Sequence, residues 1–268
     1  MSGDASICSG NSTSITLSGS QSGYTYALYK DGSATGTTKA GTGSALTFSV
    51  SAAGEYTVVA YNTTYTSCTA DMSGSATVEV LSNMALTSIS LGSSSICIDG
   101  TTTVTPSGLV TGGGSISYTS GTTSVATISS TTLTGVAAGT SVITATVSGG
   151  CGSSVSKTAT LTVLPDADAS SATISYVSDE ICAGNATTAS VSGQTLGGGT
   201  GYWSVVSGTG VSIDSSTGAI TTTTASSGSP TIKYYISGGC YNGSQSSSSS
   251  DTYKTDASLT INSTPVVH

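Results

Sequence analysis

Residues 121–151 read GTTSVATISSTTLTGVAAGTSVITATVSGGC, and this stretch decides the fold. Val125, Ile128, Leu133 and Val136 are set among Ser and Thr. The small-residue corner Ala137-Ala138-Gly139 follows, and then a second run holds Val142, Ile143, Ala145 and Val147. Alternation at period two with heavy β-branching marks half-buried strands. Gly149-Gly150 then turns the chain, with Cys151 on the turn.

The pattern recurs. Residues 211–240 read VSIDSSTGAITTTTASSGSPTIKYYISGGC, with the same closing Ser-Gly-Gly-Cys. A looser version, residues 45–68, reads ALTFSVSAAGEYTVVAYNTTYTSC, with Ala52-Ala53-Gly54 at its corner. One β unit is therefore written three times. The repeats are placed at 1–82, 83–165 and 166–268, with Pro165 marking the last linker. The phrases Ile7-Cys8-Ser9-Gly10-Asn11 and Ile181-Cys182-Ala183-Gly184-Asn185 mark equivalent starts. About seven short strands per repeat is the pattern of an immunoglobulin-like sandwich. The expected fold is all-β: three tandem immunoglobulin-like sandwiches forming a rod, with Trp203 a core anchor.

SVATISSTTLTGVAAGTSVITATV resembles the signature of group 2 bacterial immunoglobulin-like domains, found in intimin- and invasin-type adhesins. ICSGNSTSITLSGSQSGYTYALYKDG, SAAGEYTVVAYN and ICAGNATTASVSGQTLGGGTGYWSVVSGTG resemble the Ig-like repeats of very large secreted surface proteins of gliding Bacteroidota. The resemblance spans nearly the whole chain. It implies secretion and a stalk or adhesin setting.

Only 7% of the 268 residues are charged, and the net charge is −8. There is no arginine and there are five lysines. Nothing here neutralises phosphates, so nucleic acid and anionic membrane surfaces are poor partners. No run reaches the ~18 apolar residues of a membrane span, so membrane insertion is not expected. Solubility rests on Ser and Thr hydroxyls. The start Met1-Ser2-Gly3-Asp4 has no signal-peptide character, and the chain reads as the mature part of a secreted protein.

Six cysteines fall two per repeat: Cys8 and Cys68, Cys97 and Cys151, Cys182 and Cys240. Fifteen connectivities exist for six cysteines. Equivalent placement in each unit selects pairing within the repeat, near one end of each sandwich. Each such loop would be worth about 4 kcal/mol in the chain-entropy model. A zinc site is the alternative, but close C-x-x-C or histidine partners are lacking.

Catalysis has little to work with, and the chain is read as a non-enzyme without a cofactor. The one histidine is His268. The acid pairs Asp166/Asp168 and Asp179/Glu180 read as solvated loop and strand-end residues. Asp166 and Asp168 are also low-ranking Ca²⁺ candidates, since such a site needs six to eight oxygens. Lys233 lies in a strand, where an isopeptide crosslink could form, but a disulfide per repeat makes that bond unneeded. Five Asn-x-Ser/Thr sequons, at Asn11, Asn62, Asn185, Asn242 and Asn262, arise readily in so Ser/Thr-rich a chain.

The first repeat looks short of its first strand, while Pro265, Val266 and Val267 extend past the last one. The first reading is that the chain is cut from a longer array, or that the first repeat does without this strand; the second makes these three candidate assembly residues that supply a strand to the next copy. The expected role is a structural stalk or filament segment of a secreted bacterial surface adhesin. Its partners would be copies of itself or further repeats. A glycan- or host-surface-binding module and a phage virion decoration are the alternatives.

Overall fold

The computed structural model describes residues 1–241 and 252–264, together with the backbone of 244–245. The candidate assembly residues Pro265, Val266 and Val267, and His268, lie outside the described residues. The described chain is strand and turn, without a helix.

The first eight strands are β1 (Ala5–Cys8), β2 (Thr13–Leu17), β3 (Tyr24–Lys30), β4 (Ser33–Ala40), β5 (Leu46–Val50), β6 (Gly54–Asn62), β7 (Thr69–Asp71) and β8 (Ala76–Leu81). One sheet runs β1-β8-β6-β3-β4, with β7 also on β6, and β2 pairs β5. Inward residues alternate as the sequence requires: Leu46, Phe48 and Val50 on β5, and Tyr56, Val58 and Ala60 on β6. Phe48, Ile15 and Val58 are wholly buried in this core.

The next eight are β9 (Ser88–Leu91), β10 (Ser95–Cys97), β11 (Thr101–Ser107), β12 (Ser115–Ser120), β13 (Ala126–Ser129), β14 (Thr132–Gly135), β15 (Gly139–Ser148) and β16 (Val155–Leu164). They form the sheets β10-β16-β15-β12 and β13-β14-β11-β9. The deciding stretch of the sequence is β13 to β15, and Leu133, Ile143, Ala145 and Val147 on it are fully buried.

The remaining strands are β17 (Thr173–Tyr176), β18 (Glu180–Cys182), β19 (Ala186–Ser192), β20 (Thr200–Ser207), β21 (Val211–Ile213), β22 (Ala219–Thr222), β23 (Thr231–Ser237), β24 (Cys240–Tyr241), β25 (Ser244–Gln245), β26 (Tyr253–Asp256) and β27 (Thr260–Asn262). Their main sheets are β17-β19-β22-β21 and β20-β23-β26, with β18 on β27. Trp203 anchors this core at 6% exposure, edge-on to Tyr234 at 4.9 Å between ring centroids. Among the strand tyrosines, Tyr26 is buried, whereas Tyr24, Tyr29 and Tyr118 are half-buried.

The fold is three immunoglobulin-like sandwiches in series. Each has its early cysteine-bearing strand parallel to its last strand, in an otherwise antiparallel set: β1 with β8, β10 with β16 and β18 with β27. The first strands β9 and β17 pair with β11 and β19, while in the first sandwich that place holds only the isolated bridge Ser2↔Thr16.

Two compact units emerge. One holds Met1–Ile89, Pro106–Ser117 and Ala145–Lys157; the other holds Ser90–Thr105, Tyr118–Thr144 and residues from Thr158 onward. The division runs through the second repeat and places the ends of that repeat in different units.

Candidate functional site

The bonds that matter most are the disulfides, and they are not those expected from the repeats. Cys8 bonds Cys151 and Cys97 bonds Cys240, each with Cα atoms 5.4 Å apart and a sequence separation of 143. Cys68 and Cys182 are free and exposed. The pairings Cys8–Cys68, Cys97–Cys151 and Cys182–Cys240 are thus overturned.

Strand length supplies the reason. Cys8 stands opposite Leu81, the last residue of β8. Cys68 lies on the turn after β6, where its carbonyl accepts from Asn62 N at 3.1 Å. Antiparallel pairing puts Gly54, at the other end of β6, beside Val78. Eight residue steps along β6 and three more to Leu81 separate the two cysteines, about 35 Å at about 3.3 Å per step. A disulfide tolerates Cα separations of only about 4.4–6.8 Å. Both positions are near an end of a sandwich, but opposite ends.

Each cystine sits in a joint built the same way. In the unit containing Cys8, Cys151 O accepts from Met84 N at 2.7 Å, and Cys151 N donates to Gly112 O at 2.9 Å. In the unit containing Cys97, Cys240 O accepts from Ala167 N at 2.7 Å, and Cys240 N donates to Gly197 O at 3.0 Å. Met84 and Ala167 each lie three residues after the last strand of a repeat, at Leu81 and Leu164.

Glycine makes room in both joints. A Cβ on Gly113 would come within 2.8 Å of Leu81 Cδ1, and one on Gly198 within 2.7 Å of Leu164 Cδ1. Both glycines have positive φ, at 87° and 83°. A side chain at either would be strained, and one on the neighbouring Gly112 or Gly197 would meet backbone as well, Ser82 O at 2.6 Å and Ala167 N at 2.7 Å. The joint is thus a leucine from the end of one repeat against a triple-glycine turn of the next, closed by a cystine. Gly112-Gly113-Gly114 and Gly197-Gly198-Gly199 were visible as a recurring motif in the sequence, as was the shared spacing of 143. Neither says which ends meet until the strand directions are known.

Asp166 and Asp168 are placed in the linker leading to β17. Asp168 Oδ1 accepts from Ser170 N and Ser170 Oγ, both at 2.7 Å, and Oδ2 accepts from Ser171 Oγ at 2.6 Å. The carboxylate thus organises a turn. Among the described residues, no group of three His, Cys, Asp or Glu is set to hold a metal. Glu180 Oε1 accepts from Asn262 Nδ2 at 2.7 Å. The Lys233 ammonium lies 4.3 Å from the ring centroid of Tyr253.

Asp214 plays the same part in the β21–β22 hairpin. Its Oδ1 accepts from Thr217 N at 2.7 Å, Thr217 Oγ1 at 2.8 Å, Ser216 N at 3.0 Å and Ser216 Oγ at 3.1 Å. The Thr217 bonds, then those of Ser216, hold its pKa down to about 2. The Ser171 hydroxyl, with help from Ser170, holds Asp168 at about 2 as well. An unfolded Asp titrates near 3.9. The folded form binds the proton less tightly, so acid favours unfolding. The stability these turns contribute is present above about pH 4 and is lost as pH falls toward about 2. A carbon-detected NMR titration should give midpoints near pH 2 for both carboxyl groups. Midpoints near 4 would mean the turn hydrogen bonds are not made in solution.

No protein-family model matches the sequence, and no curated protein matches it. Among solved structures, the chain is similar to Drosophila OTK extracellular domains 3–5, at 13% identity over 98% of this chain and 95% of that one, with a TM-score of 0.32. It is similar to the titin I-band fragment I67–I69, at 12% identity over 98% of this chain and 96% of that one, with a TM-score of 0.40. The C-terminal 282-residue fragment of intimin, solved in complex with the intimin-binding domain of its translocated receptor, matches at 18% identity over 66% of this chain and 64% of that one, with a TM-score of 0.35. The sandwich assignment rests on the strand pairing given above.

Proposed function

We propose that the chain is a non-enzymatic extracellular structural module. Specifically, it is a load-bearing stalk or filament segment of a bacterial surface adhesin, made of repeats 1–82, 83–165 and 166–268. Disulfides persist in oxidising compartments, which favours an extracellular setting. Among the described residues, no helix is long and apolar enough to cross a membrane.

The observation that carries this reading is the interlacing of the two cystines. Cys97 lies inside the loop closed by Cys8–Cys151, and Cys151 lies inside the loop closed by Cys97–Cys240. A pull along the chain therefore passes from Cys8 to Cys151, back to Cys97, and on to Cys240. Between Cys8 and Cys240, only the length from 97 to 151 can pay out. A pairing within each repeat would instead leave the linkers to carry the load.

A glycan-binding surface would use exposed aromatic faces. Tyr253, on the rim of a cleft of about 610 Å³ with Tyr241, Asp168 and Thr252, is the best placed. The Lys233 ammonium already covers its ring, and the structural reading is preferred.

Single-molecule pulling from the two termini tests the proposal. Between Cys8 and Cys240 the oxidised chain should release the 54 residues from Cys97 to Cys151, about 190 Å at about 3.5 Å per residue. After reduction the 232 residues from Cys8 to Cys240 are free to extend, about 800 Å on the same scale. Equal extensions with and without reductant would overturn the load-bearing role.

A further inference from the structure

Strand register sets two rows of side chains on the outer face of the sheet β20-β23-β26. Tyr202 stands opposite Tyr235, and Tyr235 opposite Tyr253. Two residues along, Ser204 stands opposite Lys233, and Lys233 opposite Thr255. The alternate residues Trp203, Ile232, Tyr234 and Ile236 fill the core, so these six share the other face. Tyr253 and Thr255 are exposed, and the other four are half-buried.

Lys233 is the charged member of this face. The protein carries a net charge of −8, yet neither row holds an Asp or Glu. Among the described residues the ion pair is Lys30 with Asp31, and the Lys233 ammonium has no carboxylate within that reach. It lies instead over two rings, 4.3 Å from the centroid of Tyr253 and 5.5 Å from that of Tyr235. Asp168 lines the cleft beside Tyr253, but Ser170 and Ser171 hold its two oxygens. The five hydroxyls of the two rows make no hydrogen bond to another described residue.

The rings attract the ammonium through their quadrupoles and fix its four-carbon stem. The rotamer freedom that an ion pair normally costs is therefore already lost on folding. An anion arriving here meets a placed charge and does not have to order a free side chain.

We propose that this face binds a saccharide carrying a carboxylate, such as a uronic acid unit of an acidic polysaccharide. The carboxylate takes the Lys233 ammonium. Sugar hydroxyls bond Ser204 and Thr255 on either side, and the phenols of the next row, about 7 Å along the strands. Tyrosine suits such a surface because it offers an apolar ring and a polar tip. A neutral sugar leaves the ammonium without a counter-ion and finds the Tyr253 ring engaged. An acidic peptide supplies the carboxylate but not the set of hydroxyls. The proposal adds a ligand to the module and does not rest on its load-bearing role.

The test titrates ¹⁵N-labelled, oxidised full-length protein with tetragalacturonate and with tetramannuronate, and follows the amide shifts. Maltotetraose and tetraglutamate are titrated in parallel. At least one of the two uronates should shift amides of β20, β23 and β26 saturably, with an affinity that falls as salt rises. Lys233→Gln should weaken that binding about tenfold. Lys233→Arg keeps the charge and the ring contacts, and should stay within about threefold of the parent. Unchanged amide shifts in the core strands show that each variant is folded. No saturable shift with either uronate at millimolar concentration would overturn the proposal. So would equal binding of maltotetraose or tetraglutamate, or undiminished binding by Lys233→Gln. The pulling experiment does not involve this face, so the load-bearing reading and the saccharide site fail separately.

Discussion

Replacing Cys97 and Cys240 together by serine should lower the stability of the oxidised protein by about 5 kcal/mol, the chain-entropy value for a closed loop of this length. The bond joins residues 143 apart, and the loss arises in the unfolded chain, which regains the freedom of the whole loop. Whole domains are stable by only about 5–15 kcal/mol, so the variant should sit close to unfolding. Trp203, the one tryptophan, lies in the core of the same unit and reports the transition by fluorescence. The urea midpoint should fall by about 2 M or more. A fall below about 0.5 M would mean that the bond does not form, or that the joint holds without it. Cys182→Ser, at an exposed and unbonded position, should stay within about 0.5 kcal/mol of the parent.

Trp203→Ala should cost about 3–5 kcal/mol, the range for emptying a large aromatic site in a packed core. Trp203 faces Ile220, Ile232 and Ile236, all fully buried, and meets Tyr234 edge-on at 63° between ring planes. Its neighbour Tyr202 points to the other side of β20, where it stacks on Tyr235 at 5.7 Å and stays half-buried. Tyr202→Ala should therefore cost about 1 kcal/mol, the scale of a cross-strand aromatic pair. Paired unfolding curves followed by circular dichroism would check the contrast. A larger cost at Tyr202 would mean that the strand presents its faces the other way round.

The contrast between these two residues shows what could be read without coordinates. Alternation assigns Trp203 inward and Tyr202 outward along one strand, because successive side chains leave a strand on opposite faces. The same rule places Phe48 and Leu133 correctly in their cores. It fails in degree at Tyr24, Tyr29 and Tyr118, which are only half-buried, since depth depends on what the facing sheet supplies. Asp166 and Asp168 read only as solvated loop acids, and the hydroxyls that hold Asp168 and Asp214 in their turns emerge only from the turn geometry. The joints were least legible. Leu81 and Leu164 look like ordinary strand-end residues, the glycine triplets recur without saying what they meet, and what matters about each is its partner.

By itself the sequence determined the β class, the recurrence of one sandwich pattern and the hydroxyl-rich exterior. Those properties are local: each follows from a period of two residues along a strand and from turn chemistry between strands. It could not determine which sulfurs bond. Equal placement of two cysteines in every repeat pointed to pairing within the repeat. The length of a strand sets those two sulfurs about 35 Å apart, at opposite ends of the sandwich. Only the tertiary structure brings the end of one repeat against the glycine turn of the next. There the sulfurs of Cys8 and Cys151, and of Cys97 and Cys240, come within bonding distance.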